Sequence, residues 1–130
     1  MKLQVNDTFI KELPGDPIKE NTRRQVGEAC FSFVEPTKTE APEIVHTSIE
    51  VAKLLGISED EIKSETFLNV FTGNELIHKT TPYSMCYGGH QFGHWAGQLG
   101  DGRAINLGEI VHNDKQWAIQ LKGSGATPYS

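Results

Sequence analysis

The sequence predicts a single α+β domain in which helices come first and an antiparallel sheet follows. Apolar residues recur at helical spacing between residues 42 and 73, and apolar and polar residues alternate in short runs between residues 82 and 122. A length of 130 residues suits one domain, or one lobe of a larger protein. It is also long enough to bury a hydrophobic core without disulfides.

Charge and hydropathy exclude several classes of partner. The chain has 17 acidic and 12 basic residues and a formal net charge of −5, which argues against general nucleic-acid binding. No apolar run approaches the roughly 20 residues that span a bilayer. The N-terminus has one early lysine but no apolar segment of a secretory signal. We therefore expect a cytoplasmic protein that binds neither nucleic acid nor a membrane.

Residues 1–40 are predicted to be extended and irregular. The run "ELPGDP" has two prolines, a glycine and an aspartate, which is typical of turns. The run "ACFSFVEPT" resembles a short strand that Pro36 stops. Its alternation is too short to predict which face is buried.

Residues 42–73 are predicted to be helical. Pro42 suits the first turn of a helix, and Gly56 follows "AKLL" where a left-handed C-terminal cap belongs. Ser58 and Glu61 have capping-box spacing, so a second helix starts there. A further apolar stripe ends before Gly73. These stripes predict core-facing scaffold rather than a site.

Residues 82–122 are predicted to form a glycine-rich, three-stranded antiparallel meander. The predicted strands are 96–99, 104–111 and 116–121. Asp101-Gly102 is a strong signal for a tight hairpin, because both central residues of such a turn favour positive φ. The run "HNDK" at 112–115 predicts the second turn.

One stretch of this meander has two possible roles. The run "AGQLGDGRAINLGE" places Gly100, Gly102 and Arg103 close together, and Lys122 ends the third predicted strand. Strand, glycine-rich loop, strand, turn and lysine-bearing strand is the order found in protein-kinase N-lobes. Glycines would let the backbone approach phosphate, and Lys122 and Arg103 would supply positive charge. The stretch does not match G-x-G-x-x-G, so a purely structural hairpin remains the alternative.

Two other candidates have structural alternatives. His90 and His94 have the spacing of two zinc ligands on a helix, but Gln91 replaces the general base of H-E-x-x-H and the nearby glycines disfavour a helix. Structural roles for both histidines are therefore the alternative. Glu109 is a candidate ion-pair partner of Lys122, or a solvated carboxylate at the strand end.

A family resemblance covers essentially the whole chain. The run "YGGHQFGHWAGQLGDGRAINLGE", followed by "QLKGSGATPYS", closely resembles the N-terminal part of the selenoprotein O family. The earlier runs "ELPGDP" and "FSFVEPT" are similar to the opening segments of that family. The "GHQFG" and "WAGQLGDGRA" strings are long and unusual, which makes the resemblance specific.

The resemblance implies a pseudokinase-like protein that binds ATP in reversed orientation and transfers AMP to Ser, Thr or Tyr hydroxyls of other proteins. Gly100, Gly102 and Arg103 would contact the nucleotide, and Lys122 would pair with phosphate. The catalytic aspartate and the Mg²⁺ ligands of the family would lie after residue 130. The chain would then be an N-terminal lobe fragment, ending in a truncated loop at 123–130, and would be inactive alone. The alternative function is a non-catalytic β-rich interaction module.

Overall fold

A computed structural model describes all of residues 1–130 and shows an α+β fold, as predicted. Four short helices and five strands follow one another along the chain in this order: α1 Thr8–Glu12, β1 Phe31–Phe33, α2 Ile49–Leu54, α3 Glu59–Ile62, α4 Glu65–Phe71, β2 Tyr83–Gln91, β3 His94–Gly100, β4 Ala104–His112 and β5 Lys115–Lys122. The strands form one antiparallel sheet in the order β1-β2-β4-β5, and β3 pairs with β2. No helix is long and apolar enough to cross a membrane.

The three central helices begin at serines. The hydroxyls of Ser48, Ser58 and Ser64 each accept a hydrogen bond from the backbone N–H three residues later, and Ser58 forms the predicted capping box with Glu61. Gly56 follows α2 with φ of 76°, as predicted for a left-handed cap. The first helix of this region starts at Ile49, later than Pro42 suggested.

The late start of α2 has a physical cause. The backbone of Ser48 is extended (φ −92°, ψ 113°), and its hydroxyl accepts from Val51 N–H at 3.2 Å. This cap fixes the first turn beyond the β-branched residues Ile44, Val45 and Thr47, which lower helix propensity. Residues 42–48 are therefore not helical.

The sheet differs from the predicted meander. β2 pairs with β1 through residues 83–85 and with β3 through residues 86–91. β2 and β4 pair at a single position, Tyr83 with Asn106. β4 and β5 form a long hairpin from Ala104–Lys122 to His112–Lys115. β3 and β4 do not pair with each other, so the predicted three-stranded order is wrong.

Two tight turns have positive φ at both central residues, and neither is Asp101-Gly102. Asn113 (49°) and Asp114 (59°) join β4 to β5, as "HNDK" predicted. Phe92 (50°) and Gly93 (81°) join β2 to β3. The Asp101-Gly102 hairpin is wrong because these residues connect strands of different ladders, and neither has positive φ.

A β-bulge in β4 controls which side chains share a face with β5. Asn106 pairs with Gln120 and Gly108 pairs with Ile119, so Leu107 is an additional residue in β4. Leu107 is fully buried, and Asn106 lies on the opposite, polar face with Gln120. The bulge thereby places Ala104 and Asn106 on the face of Gln120 and Lys122.

The core lies between the helices and the other face of the β4–β5 hairpin. One buried cluster joins α4 and the loop after it to this hairpin, and its members are Val70, Ile77, Leu107, Ile110 and Ile119. A smaller cluster of Ala52, Ile57 and Ile62 connects α2 to α3. Met1, Leu3, Leu55 and Phe71 pack against both clusters and join them into one core. The polar face of the hairpin is left for other contacts.

Candidate functional site

The segment Gly100–Arg103, here called the glycine loop, connects β3 to β4. Backbone hydrogen bonds hold it at both ends: Asp101 N–H donates to the carbonyl oxygen of Met85 at 2.9 Å, and Gly123 N–H donates to that of Arg103 at 2.8 Å. The loop therefore extends from the β2–β3 ribbon to the end of β5. It is a crossing between two ladders rather than a hairpin turn.

The final residues Thr127–Ser130, here called the tail, lie along the glycine loop. Thr127 Oγ1 donates to the carbonyl oxygen of Asp101 at 2.6 Å, and the Ser130 hydroxyl donates to that of Gly102. The ring of Tyr129 lies against Gly100, where a Cβ atom would have no room. The tail thus covers one side of the loop, and glycine at position 100 permits this close approach.

The hydroxyl of Tyr129 ends a polar network inside the fold. Ser32 Oγ donates to Asp16 at 2.8 Å and accepts from the Tyr129 hydroxyl at 2.7 Å. Arg24 and Asp16 form the only ion pair of the chain. Burial would raise the pKa of Asp16, but hydrogen bonds from Ser32, Ile18 N–H and Arg24 lower it below its usual value. Burial raises the pKa of Tyr129 to about 12.

The carboxylate of Asp101 connects three strands. Its Oδ2 atom accepts from Met85 N–H in β2 at 3.0 Å and from Asn106 Nδ2 in β4 at 3.1 Å. Gln120 Nε2 in β5 lies 3.5 Å from the same oxygen. Asn106 is itself buried and also donates to the carbonyl oxygen of Tyr83 at 3.2 Å. Asp101 thus ties the glycine loop to the polar face of the β4–β5 hairpin.

Lys122 lies on that same face. It pairs with Ala104, two residues along β5 from Gln120, and side chains two residues apart in a strand share a face. Lys122 is exposed and forms no ion pair. The hydrogen bond from Gly123 to Arg103 brings this end of β5 against the glycine loop. The structure therefore brings Lys122 and the loop to one end of the sheet.

Glu109 is not the partner of Lys122. It pairs with Ala118, at a distance along the hairpin from Lys122. Its carboxylate accepts from Phe9 N–H at 2.8 Å, Thr8 Oγ1 at 3.0 Å and Gln116 Nε2 at 2.8 Å. The predicted ion pair is wrong because Glu109 holds the start of α1 instead.

The glycine loop has donors that lack acceptors. The backbone N–H groups of Gly102 and Arg103 donate to no protein atom, whereas the carbonyl oxygens of Asp101 and Gly102 accept from the tail. The guanidinium of Arg103 is exposed and, like Lys122, forms no ion pair. Free amides together with unpaired cations are the groups that bind phosphate oxygens.

A cavity of about 490 Å³ adjoins the loop at Gly100. Its polar lining comes from three segments, Arg23–Gln25, Gln98–Gly100 and Pro128–Ser130. Arg23 and Arg24 are among the lining residues, and no aspartate or glutamate is. Among the predicted site residues Gly100 lines this cavity, and Gly102, Arg103 and Lys122 do not. The predicted residues are therefore neighbours that do not all share one cavity.

The two histidines lie in a hairpin rather than on a helix. His90 pairs with Trp95 and Gln91 pairs with His94 across the β2–β3 turn. The ring of His90 packs edge-on against that of Trp95, with centroids 5.1 Å apart. Spacing of four residues brings ligands together on a helix, and this condition is not met here. Nowhere in the chain do three His, Cys, Asp or Glu side chains converge.

Sequence reasoning missed the residues that hold the loop. The composition around Asp101 predicts a turn, and nothing in the local pattern shows that its carboxylate bonds to β2 and β4. Asn106 and Gln120 alternate regularly with apolar residues, and this pattern alone predicts solvent-facing positions. Tyr129 lies in a polar run that predicted a loop. Their roles arise from contacts between residues distant in sequence.

Comparison with known proteins agrees with the family resemblance of the sequence. Residues 18–130 match the family model described as protein adenylyltransferase SelO. Three relatives, each called protein nucleotidyltransferase YdiU, come from Flavobacterium johnsoniae (57% identical), Tolumonas auensis (52%) and Methylobacillus flagellatus (52%). Each match covers 98% of this chain but only 24% or 25% of the relative. The chain thus spans about a quarter of the length of these nucleotidyltransferases, and it belongs to the SelO family.

Proposed function

We propose that the full-length protein transfers AMP from ATP to Ser, Thr or Tyr hydroxyls of other proteins, and that this part of the chain binds the ATP phosphates. Membership of a family described as protein adenylyltransferase supports the reaction class. The observation that carries the site is the position of Lys122. It is unpaired and lies on the same face as the Asp101 carboxylate, beside a loop with two free amides.

The groups present fit a nucleoside triphosphate. Gly102 and Arg103 offer backbone N–H groups, Arg103 adds a guanidinium fork, and Lys122 adds a point charge. In the proposed reaction the acceptor hydroxyl oxygen bonds to the α-phosphorus while the bond to the bridging oxygen breaks, and pyrophosphate leaves. Phosphoryl chemistry of this kind depends mostly on positioning and charge neutralisation. The residues named here supply both.

Other parts of the reaction are assigned outside this chain. Mg²⁺ would add charge neutralisation when bound with ATP, and we propose that its ligands and the base that takes the hydroxyl proton follow residue 130. The segment alone would then be inactive. We also propose that the protein acts in the cytoplasm. The alternative is a non-catalytic β-rich interaction module, although the structural glycine hairpin expected for it is not formed at Asp101-Gly102.

Isotope transfer with the full-length protein tests the proposal. We expect label from the α-phosphate of ATP to appear on protein, and the Lys122→Ala variant to lose it. Lys115→Ala is the matched control, because Lys115 is an exposed lysine at the other end of the same strand. Transfer from the γ-phosphate would identify a kinase instead. Equal loss in both lysine variants would remove the assigned role of Lys122.

A further inference from the structure

We propose that Asp101 is a positioning residue that sets the distance between the glycine loop and Lys122. Its effect on ATP rests on the function proposed above, whereas its effect on the loop does not. The end of the loop is held to β5, because Ala104 pairs with Lys122 and Gly123 N–H donates to Arg103. Its first half belongs to the β2–β3 ribbon, which shares only the Tyr83–Asn106 pair with β4, so strand pairing alone leaves this half weakly placed relative to Lys122. A side-chain tie from this half to β4 and β5 supplies what strand pairing lacks.

Asp101 provides that tie through one oxygen atom. Oδ2 accepts from Met85 N–H and Asn106 Nδ2, at 3.0 and 3.1 Å, and contacts Gln120 Nε2 at 3.5 Å. Asn106 is 2% exposed, so its amide is a rigid anchor rather than a mobile surface group. Gln120 also donates to Asn106 Oδ1 at 3.3 Å. The contact thus reaches the strand of Lys122 through a buried, bonded intermediate.

The same contacts keep the aspartate compatible with a phosphate site. A free carboxylate beside Lys122 would pair with the ammonium and repel phosphate. Here the carboxylate accepts from neutral amides, and Lys122 has no ion-pair partner. Asp101 therefore organises the loop without occupying the cation that the nucleotide requires.

Hydrogen exchange in the nucleotide-free, full-length protein tests the tie. The amides of Asp101 and Gly123 hold the loop ends but do not bond to the carboxylate. In Asp101→Ala we expect both to exchange about tenfold faster, since loss of a net hydrogen bond is worth about this factor. Asp7→Ala is the matched control: Asp7 is a buried aspartate that accepts from Glu109 N–H in β4, away from the loop. Unchanged exchange in Asp101→Ala, or equal acceleration in both variants, overturns the proposal.

A conservative variant separates geometry from charge. In Asp101→Asn the amide oxygen can take the place of Oδ2 and accept the same two donors. We expect exchange at Asp101 and Gly123 to return to within about threefold of the wild-type rate. If Asn and Ala at this position behave alike, the negative charge is responsible and the positional assignment is wrong.

ATP affinity then tests whether Asp101 acts through Lys122. We expect Asp101→Ala to weaken binding about tenfold when Lys122 is present, and less than about twofold in the Lys122→Ala background. If the two substitutions weaken ATP binding by independent factors that multiply in the double variant, Asp101 does not act through Lys122. A wild-type protein that does not bind ATP refutes the proposed function, and the exchange measurements then decide the role of Asp101 alone.

Discussion

Tyr129 lies directly over Gly100: a Cβ atom on this glycine would come within 2.5 Å of Tyr129 Cγ and 2.7 Å of the Met85 carbonyl oxygen. These two neighbours approach from the tail and from β2. The glycine loop is consequently confined between the two, and position 100 is where the confinement is tightest.

Gly100→Ala should therefore destabilise the fold. Neither a bonded tyrosine ring nor a strand carbonyl can move aside freely, so we expect a loss of about 1–3 kcal/mol in the free energy of unfolding. Urea denaturation measures it. Gly27→Ala is the control, since nothing lies within 4 Å of a Cβ at that position. A similar stability for both variants would show that the tail does not pack on the loop as described.

Alkaline stability should depend on Tyr129. Burial raises its pKa to about 12, above the usual value of about 10, so the neutral form is favoured in the folded state. The resulting stabilisation is complete below pH 10 and is lost as the pH rises from 10 to 12. We expect the free energy of unfolding to fall less steeply over this range in Tyr129→Phe than in the wild type. Parallel curves would contradict the burial of this hydroxyl.

Glu109 and Lys122 should differ sharply in their effect on stability. Glu109→Ala removes an acceptor from Phe9 N–H, Thr8 and Gln116, and we expect a loss of about 1–3 kcal/mol. Lys122→Ala should change stability by less than about 0.5 kcal/mol, because the side chain is exposed and unpaired. Chemical denaturation of both variants and of the double variant is the measurement. A measurable coupling energy between the two positions would show that Glu109 and Lys122 do interact, contrary to the structure.

Arg24 should be important for stability at neutral pH and less so in acid. The ion pair with Asp16 is largely buried, and Arg24→Met leaves that carboxylate without its cation, at a cost of about 3–5 kcal/mol. In the wild type, the folded-state pKa of Asp16 is lowered. The stability that its ionised carboxylate contributes is therefore fully present above the unfolded-state pKa and is lost as the pH falls through the folded-state pKa. In the variant, the unpaired carboxylate is relieved by protonation. The difference in the free energy of unfolding between the wild type and Arg24→Met should therefore decrease from pH 7 to pH 3.

Thermal or urea unfolding at several pH values tests this. Arg23→Met is the matched control, since Arg23 is exposed and forms no ion pair, and its stability should follow the wild type throughout. A difference in the free energy of unfolding that stays constant between pH 7 and pH 3 would show that the ion pair contributes through packing alone.

Features set by neighbouring residues were predictable from the sequence. The capping box at Ser58, the cap at Gly56 and the Asn113–Asp114 turn depend on contacts within a few residues, and all three are present. The start of α2 was not predictable, because Pro42 and Ser48 are both acceptable beginnings for a helix. Burial and packing of later residues decide between such alternatives.

Contacts across the chain were beyond the sequence pattern. Asp101-Gly102 has the composition of a hairpin turn, yet β3 pairs with β2 because the Phe92-Gly93 turn closes that ribbon first. The acceptor role of Glu109 depends on Thr8 and Phe9, which are about 100 residues away in sequence. For the candidate site, residue types indicated the cations and the glycines but not the aspartate that arranges them.

The bulge at Leu107 limits how the length of this hairpin can change. Residues added at the Asn113–Asp114 turn would extend the far end and leave Lys122 opposite Ala104. Removing Leu107 would also leave Lys122 opposite Ala104, because Leu107 has no partner in β5, but it would delete a fully buried side chain from the core. Removing Ile105, which lies between the bulge and the glycine loop, would instead bring Arg103 opposite Lys122 and turn Ala104 toward the core. Insertions for tags or reporters therefore belong at the turn, and the segment between the bulge and the loop tolerates no change in length without moving the partner of the lysine.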